Sequence, residues 1–284
     1  MKFKIIFFFV PLVFQGLASQ VVVEDSLFSP SLNTTMKFNA VVPRGYSKSQ
    51  ERYLTIYLLH GFNGNYAGWI KNTELVRYAK SYRCIIVTPD GKNGWYTNSP
   101  AVQHLNYEDY IINDLIPFVD KKYRTIQSKY FRAITGFSMG GYGAAKFALK
   151  YPNLFFFAGC LSPAIQFPYG MEDSAIVARR SKESNESVRL MFGFPRNEKW
   201  KENDVFKLLE KANVKTLPYF YLSVGSQDVI PEIIDLTHSF AAALRKKGAT
   251  FEMHEYAGGH DWKLWNQEIE TVLRRIAELQ QKKK

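Results

Sequence analysis

The sequence predicts an α/β fold, with a mostly parallel central sheet and helices on both faces. Three observations carry that expectation. Apolar runs of strand length alternate with segments of helical period over most of the chain. Runs such as YLTIYLL and CIIVTP are apolar at successive positions, the pattern of strands buried on both faces. Finally, 284 residues that are 46% hydrophobic and 15% aromatic can fill the core of one large sheet domain.

Taken in order, VVVEDSLFSP and TTMKFNAVVPRGY read as two extended segments joined by the turn SPSLN, an antiparallel start to the sheet. RYLTIYLLHG follows as a buried strand, NTELVRYAKSY as a helix and RCIIVTPDG as a strand. YEDYIINDLIPFVDKKY has helical period, and Pro117 is expected to bend it because proline has no N–H to bond back one turn. YFRAITG is a strand, MGGYGAAKFALKYP a helix ended by Pro152, and LFFFAGCLSP a strand. The stretch from about residue 164 to 215 differs. It is charged, with RRSKESNES and FPRNEKWKEND, and its helical period is weak. It has too few apolar residues for a core of its own and reads as an insertion over one end of the sheet. The alternation then resumes with LPYFYLSVG, a helix PEIIDLTHSFAAALRKKG closed by Gly248, the strand TFEMHEYAG and a last helix WKLWNQEIETVLRRIAELQQ.

The first residues stand apart from this pattern. MKFK is a basic start, IIFFFVPLVF an apolar run and QGLASQ a small-residue stretch, which together read as a secretory leader over residues 1–19. Cleavage after Ala18 or Ser19 fits equally. A retained anchor is the competing reading, but the run is short against the roughly 20 residues of a bilayer span. The expectation is therefore a single domain over 20–284, secreted or periplasmic, with no stable membrane insertion once the leader is removed.

Composition narrows the chemistry. Cys84 and Cys160, the only cysteines, sit in apolar strand-like runs and read as buried free thiols, with no partners at the short spacings of a metal site. The formal net charge of +11 is spread over many segments, without the basic clusters interleaved with aromatics that mark nucleic-acid binders. No nucleic-acid partner is expected, and no metal; the sequence leaves the oligomeric state open.

In parallel sheets functional groups collect beyond the carboxyl ends of the strands. Four such ends carry suggestive residues: His60-Gly61-Phe62-Asn63-Gly64, Gly136-Phe137-Ser138-Met139-Gly140, Gly225-Ser226-Gln227-Asp228 and Ala257-Gly258-Gly259-His260-Asp261. The order serine, acid, histidine is that of an α/β-hydrolase triad. Each residue type has a reason. A serine hydroxyl attacks poorly unless a base takes its proton, histidine titrates near neutrality, and an aspartate fixes the imidazole tautomer. The oxyanion would face the backbone N–H groups of Phe62 and Met139. The plainer alternatives are a tight strand-to-helix turn for GFSMGGYGA and a helix N-cap for Asp228, a role compatible with a triad. His254 reads as packed in a strand, His238 lies on a helix face, His104 is in a loop, and His60 reads as a support for the oxyanion loop.

YLLHGFNGNYAGW, PDGKNGWYTNS, GFSMGGYGAAKFAL, FGFPRNEKWKENDVFKL and YAGGHDW resemble the putative-esterase family of α/β-hydrolases. That group includes tributyrin-type esterases, feruloyl and acetyl xylan esterases, S-formylglutathione hydrolases and mycolyltransferases. The resemblance implies a triad of Ser138, Asp228 and His260, oxyanion donors Phe62 and Met139, and no cofactor. Together with the leader it implies a secreted serine carboxylesterase acting on acetyl or hydroxycinnamoyl esters, with a small-molecule or oligosaccharide ester as its partner. An acyltransferase on the same scaffold and a non-catalytic carbohydrate-binding protein are the alternatives. Trp69, Trp95 and Tyr96, near strand-end loops, are candidates for a sugar- or acyl-binding platform, with loop packing as the other reading. The 164–215 stretch would cover the acyl pocket.

Overall fold

The computed structural model describes residues 21–281, so the expected leader at residues 1–19 lies outside the described residues. Eight strands form one sheet: β1 (Val21–Ser29), β2 (Thr34–Val42), β3 (Leu54–Leu59), β4 (Cys84–Pro89), β5 (Arg132–Phe137), β6 (Phe157–Leu161), β7 (Tyr219–Gly225) and β8 (Phe251–Tyr256). Their order across the sheet is β1-β2-β4-β3-β5-β6-β7-β8. β1 and β2 pair antiparallel, as do β2 and β4, and every pairing from β4 onward is parallel. The carboxyl ends of β3, β5, β7 and β8 therefore open on one edge.

The continuous apolar strands are explained by two cores, one on each face. Along β3, Ile56 and Leu58 join a cluster with Trp265, Ile269 and Val272 of the last helix, while Tyr57 and Leu59 join the opposite cluster. Successive side chains point to opposite faces, so a strand covered twice must be apolar at every position.

The helices are α1 (Gly68–Asn72), α2 (Leu75–Ala79), α3 (Tyr107–Asp109), α4 (Ile116–Lys122), α5 (Met139–Lys150), α6 (Ser174–Arg179), α7 (Lys182–Phe192), α8 (Lys199–Asn203), α9 (Val205–Lys211), α10 (Pro231–Lys247) and α11 (Trp262–Gln281). Three segments differ from expectation. NTELVRYAKSY is interrupted: Thr73 is extended between α1 and α2, and its hydroxyl accepts the N–H of Leu75. The Pro117 bend takes the form of a π-helical turn over Tyr110–Leu115, with the proline at the start of α4, where a missing N–H breaks the regular ladder. The 164–215 stretch holds four helices, three of them capped by the side chains of Asp173, Ser181 and Asp204. Its apolar side chains, among them Val188, Phe192, Trp200 and Leu209, join the core that also holds α5.

Candidate active site

Ser138 is the single residue between the end of β5 and the start of α5. Its backbone lies at φ 54°, ψ −119°, a strained conformation for a residue with a Cβ. Hydrogen bonds on both sides hold it there. Its N–H donates to the Leu161 carbonyl at 2.9 Å, and its carbonyl accepts from Tyr142 and Ala164, each at 3.0 Å. The flanking glycines are required by close approach. A Cβ on Gly140 would sit 2.6 Å from the Leu59 carbonyl oxygen, and one on Gly136 would sit 2.7 Å from the Gly140 carbonyl. GFSMGGYGA thus packs the first turn of α5 onto the ends of β3 and β5 and leaves the serine at the apex. The N–H groups of Met139, first in α5, and Phe62 donate to no acceptor among the described residues.

Asp228 and His260 come from the ends of β7 and β8. The Asp228 side chain is fully buried; its Oδ2 lies 2.8 Å from His260 Nδ1, and its Oδ1 accepts the Ile230 N–H at 2.9 Å. Asp228 thus braces the turn into α10 while it orients the imidazole. A carboxylate facing Nδ1 places the ring hydrogen there and leaves Nε2 as the acceptor. The ring stands edge-to-face on Trp265 at 5.0 Å. Ser138 and His260 line one cavity of about 460 Å³.

The loops around this cavity are fixed by buried polar contacts. His60, fully buried, receives the Gly91 N–H on Nε2 at 2.8 Å, so its Nδ1 hydrogen points to the Gly61 carbonyl at 2.7 Å. It ties the β3 loop to the β4 loop. The next two aromatics, Trp95 and Tyr96, have φ near 50° and take opposite fates. Trp95 lines the cavity beside Phe62, its indole N–H donating to Ser187 Oγ at 2.8 Å. Tyr96 is fully buried, its hydroxyl donating to the His60 carbonyl at 2.9 Å.

Two candidate platform residues lie away from this cavity. Tyr96 and Trp69 are both 0% exposed and line no part of the cavity. Trp69 donates its indole N–H to the Leu59 carbonyl at 3.0 Å and packs edge-to-face on Phe137 and Trp262. An aromatic close to a strand end in sequence can point into the core, where its polar atom meets an unpaired backbone group. Trp262, which Trp69 supports, does line the cavity. It lies inside YAGGHDW, two residues after His260, and that adjacency was the signal available in the sequence. Gln166, Arg179, Arg180 and Glu232 also line the cavity. Sequence reasoning missed the first three because they sit in the weakly periodic 164–215 stretch, and Glu232 because nothing at the start of α10 marks an inward side chain. Among the described residues, no group of three His, Cys, Asp or Glu is arranged to hold a metal ion. No described helix is long and apolar enough to cross a membrane.

A family model described as putative esterase matches residues 29–276, well over half of the chain. An acetyl esterase of Caldicellulosiruptor saccharolyticus is 28% identical over 222 residues, covering 77% of this chain and 81% of that protein. Among solved structures, the substrate-bound fluorophosphonate-binding serine hydrolase F of Staphylococcus aureus superposes with a TM-score of 0.80. The identity is 22%, over 91% of this chain and 98% of that one. A ferulic acid esterase superposes with a TM-score of 0.75 at 24% identity, over 92% and 99% of the two chains. The architecture is the α/β-hydrolase fold.

Proposed function

This chain belongs to the putative-esterase family and is a serine carboxylic ester hydrolase, and from that premise we propose that Ser138, His260 and Asp228 are its triad. Ser138 Oγ attacks the ester carbonyl carbon while His260 Nε2 takes its proton. The carbonyl oxygen, now negative, meets the N–H groups of Met139 and Phe62; donors of this kind are worth about 3 kcal/mol each in the transition state. The C–O bond to the alcohol breaks as His260 returns the proton to the leaving oxygen. Water then repeats the sequence on the acyl-enzyme and releases the acid. The observation that carries this reading is the 2.8 Å contact between His260 Nδ1 and buried Asp228, in a site whose cavity also receives strained Ser138.

For the substrate we propose acetyl or hydroxycinnamoyl esters of carbohydrates. Support comes from the acetyl esterase and ferulic acid esterase relatives, and from a cavity walled by the rings of Phe62, Trp95 and Trp262, against which sugar or aromatic acyl groups pack. The basic-apolar-small pattern of residues 1–19 supports a secreted or periplasmic enzyme, where acylated polysaccharide fragments are met. The test is 4-nitrophenyl acetate hydrolysis by wild type beside Ser138→Ala, followed by acetylated and feruloylated xylo-oligosaccharides. Wild-type turnover that the variant loses supports the triad; equal slow release by both proteins overturns it. Equal rates on simple lipid esters without acid release from the oligosaccharides overturn the substrate assignment.

A further inference from the structure

We propose that Arg180 binds an anionic oxygen group carried by the ester substrate, so that the enzyme prefers esters bearing a negative charge over their neutral counterparts. The inference rests on the esterase reading of the same cavity and adds to it the charge of what enters.

Arg180 stands in the turn between α6 and α7 and lines the cavity that Ser138 and His260 share. Its guanidinium lies over two rings, 4.0 Å from the centre of Phe167 and 5.4 Å from that of Trp95. One terminal nitrogen donates to the hydroxyl and carbonyl of Ser184. Its Nε is buried and has no acceptor. No carboxylate pairs with it among the described residues. The cavity's other charged side chains are spoken for: Arg179 is paired with Glu232, and His260 with Asp228. Burial lowers the Arg180 pKa to about 10, so it stays charged at neutral pH. A half-buried cation with unmet donors beside a nucleophile calls for an anion, and guanidinium matches carboxylate and phosphate geometry.

A purely structural role is the competing account, in which Arg180 staples the turn between α6 and α7. That turn is already fastened without it. Asn185 Nδ2 donates to the Val177 carbonyl at 2.8 Å, and Ser181 Oγ accepts the Ser184 N–H at 3.2 Å. A staple would also leave the buried Nε without an acceptor and without a reason.

The charge can lie on the alcohol part or on the acyl part, and two pairs of esters separate these. 4-Acetoxybenzoate against 4-acetoxybenzamide tests the alcohol side, and methyl hydrogen adipate against dimethyl adipate tests the acyl side. The readout is the ratio of kcat/KM, anionic over neutral, which is insensitive to partial loss of folded enzyme. Wild type is expected to favour the anionic ester at least tenfold in one pair. Arg180→Met should abolish that preference, and Arg180→Lys should keep part of it. A preference absent from both pairs, or one that survives Arg180→Met, overturns the proposal. The same pairs are titrated calorimetrically into the Ser138→Ala protein, where tighter binding of the anionic member should also depend on Arg180. Absent turnover with that binding preference intact would sink the esterase reading and leave the anion site standing. Turnover without any charge preference would do the reverse.

Discussion

Two cations in this molecule, one buried and one half-buried, are treated in opposite ways. Lys146, on α5, is 0% exposed and donates to Glu108 Oε2 at 2.8 Å, the Tyr96 carbonyl at 2.6 Å and Asn203 Oδ1 at 3.3 Å. Glu108 in turn accepts from Tyr151 at 2.6 Å and pairs with Lys150 at 2.7 Å. Every partner is supplied by the chain, and although burial alone would raise it, the two lysines hold the Glu108 pKa down at about 2. The network clamps the left-handed turn at Trp95 and Tyr96 and so sets the cavity wall. Arg180, by contrast, meets rings and a serine and, among the described residues, no carboxylate. A charge completed within the fold is architecture, while one left incomplete beside a nucleophile is a binding device. The same contrast separates Asp228, whose two oxygens are both engaged in orienting the site, from the exposed surface pairs such as Lys199 with Glu202, worth about 0–1 kcal/mol.

The comparison can be broken at several points. The largest effect is expected at the site: Asp228→Asn should lower kcat on 4-nitrophenyl acetate about 10⁴-fold while the thermal melt moves only a few degrees, since the wrong imidazole tautomer is then favoured. An unchanged rate would mean that His260 is not the base. Next, Lys146→Met leaves the buried Glu108 carboxylate to Lys150 and Tyr151 alone and should cost about 3 kcal/mol in denaturant unfolding, much of it recovered in Lys146→Met/Glu108→Leu. No loss would show that the network is not a clamp. A third test uses Glu268 on α11, whose pKa burial pushes up to about 8. A folded pKa above the ordinary 4.5 means that its contribution is full below about pH 4.5 and is lost as pH rises through 8. Glu268→Gln should therefore leave stability at pH 5 nearly unchanged and raise it at pH 9 by a few kcal/mol. A parallel shift at both values would place the effect in packing. The smallest effect is expected at Trp69→Phe, which keeps a ring but loses the bond to the Leu59 carbonyl. It should cost about 1 kcal/mol of stability, with KM for 4-nitrophenyl acetate within twofold of wild type; a large rise in KM would return Trp69 to the substrate platform.

Much of the scaffold was legible because its signals are local. Strand runs such as CIIVTP are apolar at each position, Gly248 closes α10 at φ 77°, and the glycines about Ser138 announce a turn that nothing bulkier fits. The 164–215 helices were less legible, since their caps at Asp173, Ser181 and Asp204 are single residues in a charged background, α7 and α9 bury only a narrow stripe and α6 buries no side chain fully. The motif WKENDVFKL illustrates the limit. Its residues are structural: Trp200 donates to the Gly193 carbonyl, Asn203 receives Thr97 and Lys146, and Asp204 caps α9. Pattern alone does not separate such a brace from a binding loop.

What the sequence by itself determined was the alternation of elements, the residue types at the strand ends and their order along the chain, because periodicity and turn chemistry act over a few residues. What only the tertiary structure decided was direction: that Trp95 faces the cavity while its neighbour Tyr96 faces the core, that Trp262 rather than Trp69 walls the site, and that Arg180 reaches the cavity Ser138 lines with no carboxylate partner among the described residues. Those outcomes depend on which distant segment covers each side chain and which unpaired donor or acceptor it meets there, and packing of that kind leaves no periodic trace in the chain.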